Sequence, residues 1–201
     1  MVSQPATRLE PALSEPTDEA LMERYAREGD REAFEVLFRR YAPRMLGLFR
    51  RSTGRDDVAQ DLVQQTFLHV HRARRDYRIG KPLRPWLFAI AMNVRREHFR
   101  RSARRKETPL DPVRHGEPSQ EPDASTATER VVRRALQQLP EPQREVVLLH
   151  YYEGLSMAEV AQAVGASRSA VKVRAHRAYN VLRDILGGTV ASDAHRRGGE
   201  S

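Results

Sequence analysis

Two segments of this 201-residue chain place cations beside groups that could recognise a nucleic acid. In the first, Lys81 and Arg84 precede Trp86, Phe88, Asn93 and Phe99, with Arg95, Arg96, Arg100 and Arg101 close by. Guanidinium groups neutralise phosphates and flat rings offer bases a stacking partner, so the mixture suits contact with single-stranded or duplex nucleic acid. Between Arg95 and Lys106 six arginines and one lysine stand against Glu97, a net charge of +6. Basic helices are often only solvated surfaces; the interleaved rings favour binding here. The second segment presents Ser167, Arg168, Ser169, Lys172, Arg174, His176 and Arg177, the donor-rich set expected of a helix that reads base edges in the major groove.

Other chemistries find little support in the residues. The chain has no cysteine, which excludes disulfides, thiolate zinc fingers and a thiol nucleophile. It shows no glycine-rich phosphate loop and no plausible triad, so no catalytic residue and no cofactor is expected. A nucleic-acid-processing enzyme would need acidic metal ligands. Asp56, Asp57 and Asp61 form the one acidic cluster of the first half, and the first turn of a helix accounts for acids there. His69 and His71 point to different sides of a helix, which excludes a shared metal site.

Thirty-five Lys and Arg against 27 Asp and Glu give a net charge of +8, and a pI near 10.4 makes a polyanion the first partner to consider, acidic lipid the second. The longest uncharged apolar run, Trp86 to Met92, falls far short of the roughly 20 residues that span a bilayer. The N-terminus lacks an apolar signal region and carries Glu10 and Glu15, so a cytoplasmic protein is expected.

Two helical blocks must position these segments. Apolar residues recur with helical spacing from about Asp18 to Lys106 and again from about Glu129 to Leu186. The expected architecture is all-α: a tail over 1–16, a helical domain over 17–106, a linker over 107–128, a second helical domain over 129–186, and a disordered tail over 187–201. The linker carries four prolines and five acids against one arginine, a charge of −4.

In the first block Thr17 caps a helix, Gly29-Asp30 separates it from the next, and Phe34, Leu37, Phe38 and Tyr41 form a core stripe. Pro43 is expected to kink that second helix or to start a new turn. A third helix, from about Asp56 to Arg75, buries Ala59, Leu62, Val63, Phe67 and Val70. Its other face carries Asp61, Gln64, Gln65 and Leu68, a polar strip with one leucine that fits either solvent or a modest protein contact. A loop from Asp76 to Arg84 leads into the basic helix. In the second block Ser156 and Glu159 form a capping box, Gly165 permits a left-handed turn, Ser167 caps the last helix, and Val171 locks it onto its predecessor. That is a helix-turn-helix.

These motifs resemble the sigma-70 family in both blocks and in the same order. Asp61-Leu62-Val63-Gln64-Gln65-Thr66-Phe67 is similar to region 2.2, Pro85 to Asn93 to regions 2.3 and 2.4, Leu139 to Glu145 with Glu153-Gly154-Leu155-Ser156 to region 4.1, and Ala170 to Ala178 to the region 4.2 helix. A sigma factor with only these two domains is identified as a member of the extracytoplasmic-function (ECF) group. The resemblance implies a transcription initiation factor with Asp61, Gln64, Gln65 and Leu68 on the beta-prime clamp helices of RNA polymerase core. It assigns Lys81, Arg84, Trp86, Asn93, Arg95, Arg96, Arg100 and Arg101 to the melted minus-10 element, and the Ser167 to Arg177 set to the minus-35 element. It also implies an anti-sigma partner, often membrane-bound. A linker of about 20 residues reaches roughly 66–72 Å when extended, whereas a free coil of that length averages about 25 Å. Promoter elements about one and a half helical turns apart therefore demand a stretched linker. The alternative is a stand-alone helix-turn-helix regulator, which would normally dimerise on two half-sites, and the chain shows no dimerisation heptad.

Overall fold

Capping chemistry sets the boundaries of the first helices. The computed structural model describes residues 15–107 and 126–197, and all regular structure among them is helical. Helix α1 (Asp18–Glu28) starts where the Thr17 hydroxyl accepts the Ala20 N–H and ends at Gly29, whose φ is 71°. Helix α2 (Arg31–Thr53) starts with the Asp30 carboxylate accepting from the Ala33 N–H and ends at Gly54 with φ of 73°. Pro43 does not break it. Pro43 and Arg39 are both exposed, so the carbonyl deprived of its helical partner can turn to water.

Helix α3 (Asp56–Arg72) is shorter than expected, because the chain tightens into a 3-10 turn at Arg74–Asp76. Helix α4 (Leu83–Glu107) follows the loop, its first N–H bonded at 3.0 Å to the carboxylate of Glu19 on α1. Helices α1 to α4 enclose Leu21, Met22, Tyr41, Met45, Phe49, Leu62, Phe88 and Met92, all nearly inaccessible to solvent. Tyr25 stacks on Phe34 at 4.6 Å and its hydroxyl lies 2.5 Å from His71 Nδ1. The predicted stripe on α2 needs one correction: Phe38 is 42% exposed, because its ring lies over Phe67 at 4.6 Å on the outer side of the bundle.

The second block contains α5 (Ala127–Gln138), α6 (Glu141–Val147) continuing as a π-helical turn over Leu148–Tyr152, α7 (Met157–Val164) and α8 (Arg168–Arg197). The Ser156–Glu159 capping box is present, with bonds of 3.2 and 2.8 Å. Gly165 has φ of 65° and Ala161 and Val171 are buried between α7 and α8. The backbone of α8 continues beyond the expected end at 186, for the segment holds no proline and glycine weakens a helix without forbidding it. Of the expected linker, 108–125 lies outside the described residues, as do 1–14 and 198–201 of the tails. Glu15 and Pro16, placed in the N-terminal tail by sequence, are held by Arg40 at 2.9 and 3.0 Å.

Two stability predictions follow from the caps. A Cβ at Gly165 would meet nothing within 4 Å, so Gly165→Ala carries only the backbone cost of a left-handed conformation. That is about 1–2 kcal/mol, to be read as a lower urea midpoint at unchanged m-value. The Asp30 carboxyl is held below its ordinary range chiefly by the Ala33 N–H, and the Glu159 carboxyl chiefly by the Ser156 N–H. Depressed carboxyls contribute stability that is present above their unfolded pKa, about 4, and lost as pH falls through the folded value. The urea midpoint should therefore decline below about pH 4, and Asp30→Asn should reduce that decline; an equal decline in the variant would contradict this origin.

Candidate nucleic-acid interface

The polar strip of α3 faces outward. Asp61, Gln64 and Leu68 are exposed, Gln65 is half-buried, and Gln65 Nε2 donates to Asp61 Oδ2 at 2.6 Å. Leu68 is 47% exposed and follows Phe67, which supports the outward ring of Phe38. Sequence periodicity put Phe38 in the core and so missed a second exposed apolar side chain, one that lies over Phe67 of α3.

The loop before α4 and the first turns of that helix form a pocket of about 410 Å³. Tyr77 and Trp86 meet edge to face at 5.3 Å on its wall, and Lys81, Arg78 and Pro85 complete the near side. The Tyr77 hydroxyl donates to the Lys81 carbonyl, which fixes the loop over the rings. A pocket of that size, with two aromatic walls and with Arg78 and Lys81 outweighing the Asp76 carboxylate at its rim, has room for an unstacked base. The far wall comes from the other block: Gln162 on α7. Tyr77 was not foreseen as a site residue, although its place directly before the basic loop was visible.

Further along α4 the predicted set divides. Asn93 is exposed and accepts from Arg96 at 3.0 Å; Arg100 and Arg101 are exposed and share Glu97. Arg84, Arg95 and Arg96 instead meet the second block. Arg95 is fully buried, with its guanidinium 4.9 Å from the Phe99 ring centroid and both terminal nitrogens on the Glu141 carboxylate. Arg96 forms a fork with Glu145 through bonds of 2.7 and 2.8 Å. Arg84 donates to the Glu153 carbonyl, and Arg44 on α2 reaches the Glu153 carboxylate and carbonyl, each at 3.1 Å. Burial pushes the Glu153 carboxyl above its ordinary range against the pull of Arg44, Arg84 and Arg51. Sequence reading missed Arg44, Glu141, Glu145, Glu153 and Gln162, since pairings between residues so far apart leave no periodic trace.

On the helix-turn-helix, Ser167, Arg168, Ser169, Lys172, His176 and Arg177 are exposed and Arg174 is half-buried. The Ser167 hydroxyl accepts the Ala170 N–H at 3.2 Å, and Asn180 touches His176 at 3.2 Å. Val173, also exposed, adds an apolar contact to this basic strip. Among the described residues no group of acids and histidines could hold a metal ion, and no helix is long and apolar enough to cross a membrane.

Known proteins match both blocks. The model "Sigma-70 region 2" covers residues 37–105 and "Sigma-70, region 4" covers 129–182. RNA polymerase sigma factor CarQ of Myxococcus xanthus is 39% identical over 172 residues, spanning 83% of this chain and 95% of the relative. ECF RNA polymerase sigma factor SigM of Mycobacterium tuberculosis is 33% identical over 159 residues, 79% of this chain and 80% of its own. Among solved structures, CnrH in complex with the cytosolic domain of CnrY superposes with a TM-score of 0.66 at 29% identity, covering 85% of this chain and 97% of that one. The sigma factor RpoE in complex with the anti-sigma factor NepR from Bartonella quintana gives 0.64 at 25% identity, covering 78% and 98%. With both sigma regions in order, and with relatives aligned over most of their length, the chain belongs to the sigma-70 family of RNA polymerase sigma factors, in its ECF group.

Proposed function

We propose that this sigma factor anchors to polymerase core through Asp61, Gln64, Gln65, Leu68 and Phe38, captures the melted minus-10 strand at the α4 pocket, and reads the minus-35 duplex with α8. The rings of Tyr77 and Trp86 beside Lys81 carry the reading, because flat faces next to a cation suit an unpaired base and its phosphate. Residues 17–106 and 129–186 act as separate modules on separate promoter elements. Lys81, Arg84, Arg95, Arg96, Arg100 and Arg101 neutralise phosphates of the opened strand, and Asn93 contacts a base or sugar. The protein catalyses no bond chemistry itself and works in the cytoplasm, where core polymerase and promoter DNA are found. An anti-sigma factor is its second protein partner, by analogy with the RpoE relative solved with NepR.

Run-off transcription with purified core tests this reading directly. Core plus this chain should yield discrete transcripts from a genomic promoter library, and the chain alone should shift no duplex promoter fragment specifically. Tight, sequence-specific duplex binding without core would instead establish the stand-alone regulator. Within α8, Arg174→Ala should lose discrimination at one minus-35 position by about 1–3 kcal/mol, whereas a uniform loss over all sequences would make Arg174 a phosphate contact.

A further inference from the structure

We infer that the polymerase-free chain is held shut by an ion-pair latch, in which Glu141, Glu145 and Glu153 of the second block occupy arginines that otherwise bind promoter phosphates. The inference rests on the DNA reading of Arg84, Arg95 and Arg96 given above. Four arginines of the first block, Arg44, Arg84, Arg95 and Arg96, converge on these three acidic residues, and all the pairs cross between blocks. The geometry imitates a nucleic-acid complex. A carboxylate presents two oxygens to a guanidinium fork much as a phosphate does, and Arg96 grips Glu145 through two parallel bonds. Arg95, with no accessible surface, has no route to a phosphate while Glu141 is in place. The same closure packs α7 along α4 and places Gln162 on the wall of the base pocket.

Such a latch is reversible by construction. Glu145 and Glu153 are almost wholly buried, so closure strips both carboxylates of water and recovers little more than that cost through pairing. The Arg95 Nε and Arg84 Nε groups are buried without a partner, a further cost of closure. A surface that binds the first block and separates it from the second therefore works against only a small net preference. Polymerase core is that surface in the proposed function.

The test uses the full chain and two variants, Glu145→Gln/Glu153→Gln and Arg44→Ala. Neither replaces a residue assigned to DNA, and Arg44 is part-exposed, so Arg44→Ala provides an opening variant that leaves the buried carboxylates unsubstituted. Small-angle scattering reads the opening, helical circular dichroism verifies the fold, and anisotropy reads binding to a fluorescein-labelled mixed-sequence single-stranded DNA. If the free chain is shut more than nine-tenths of the time, opening should tighten single-strand binding by at least about tenfold. Both variants should also show a larger radius of gyration, and adding Arg96→Ala should cancel part of the gain in affinity. Unchanged scattering in both variants overturns the latch. Expansion without any gain in DNA affinity keeps the latch and removes the phosphate-contact reading of the α4 arginines.

Discussion

Replacing Trp86 with alanine is expected to lower open-complex formation by roughly ten- to a hundredfold while leaving the affinity for core polymerase unchanged, since base stacking on one aromatic ring contributes about 1–3 kcal/mol. The expectation comes from how α4 divides its side chains. Leu87, Phe88 and Ala91 point into the bundle and are buried, whereas Trp86 is half-buried and lends its free part to the pocket. Truncation removes the stacking wall, the edge contact to Tyr77 and the packing of the indole against the core cluster, but none of the fully buried core side chains. The polar strip of α3 is also left unchanged. Permanganate reactivity of unpaired thymines measures melting, and anisotropy of labelled core measures docking. Trp86→Phe, which keeps a ring, should recover most of the melting. Equal melting by wild type and Trp86→Ala would remove base capture from this pocket, and a parallel fall in core affinity would mark the tryptophan as structural.

Much of this architecture could be read from local signals, because each of them is settled within a turn or two of chain. Thr17, Ser156 with Glu159, Gly165 and Ser167 fix helix ends through bonds to backbone groups no more than four residues away. The helix-turn-helix was visible for that reason. Phe38 was misplaced because a stripe at i, i+3, i+4 marks an apolar arc without saying how much of it a neighbour covers. The α4 arginines were assigned to DNA on charge and composition, and those properties cannot show that Glu141, Glu145 and Glu153 fold back onto them. Arg44 and Glu153 are 109 positions apart, and nothing in either neighbourhood marks the other.

The closed arrangement gives the linker a role that its composition alone leaves open. Helix α4 ends at Glu107 and α5 begins at Ala127, and promoter elements about one and a half helical turns apart demand that the segment between them be stretched well beyond the length of a free coil. Extension costs chain entropy in addition to the ion pairs, so the separated state needs an external scaffold that binds both blocks. If the latch holds, this sigma factor gains promoter affinity only as part of a holoenzyme. That property keeps a strongly basic protein from settling on bulk DNA.

The docking step on that scaffold is where a single exposed residue should matter most. Leu68→Glu is expected to weaken core binding by more than a hundredfold with no loss of thermal stability. Leu68 is 47% exposed, so its outer half adds about 1 kcal/mol when a partner covers it. Glutamate forfeits that gain and must also be desolvated on the same strip as Asp61, about two turns away; an unpaired buried charge costs several kcal/mol. Folding is spared because glutamate is a good helix former at an exposed position. Competition anisotropy with labelled core reads the affinity, and a melting curve reads the fold. Leu68→Ala, which loses the apolar gain without adding a charge, should weaken binding only about fivefold. If both variants bind as the wild type does, the α3 strip is solvated in the holoenzyme and docking must use another face.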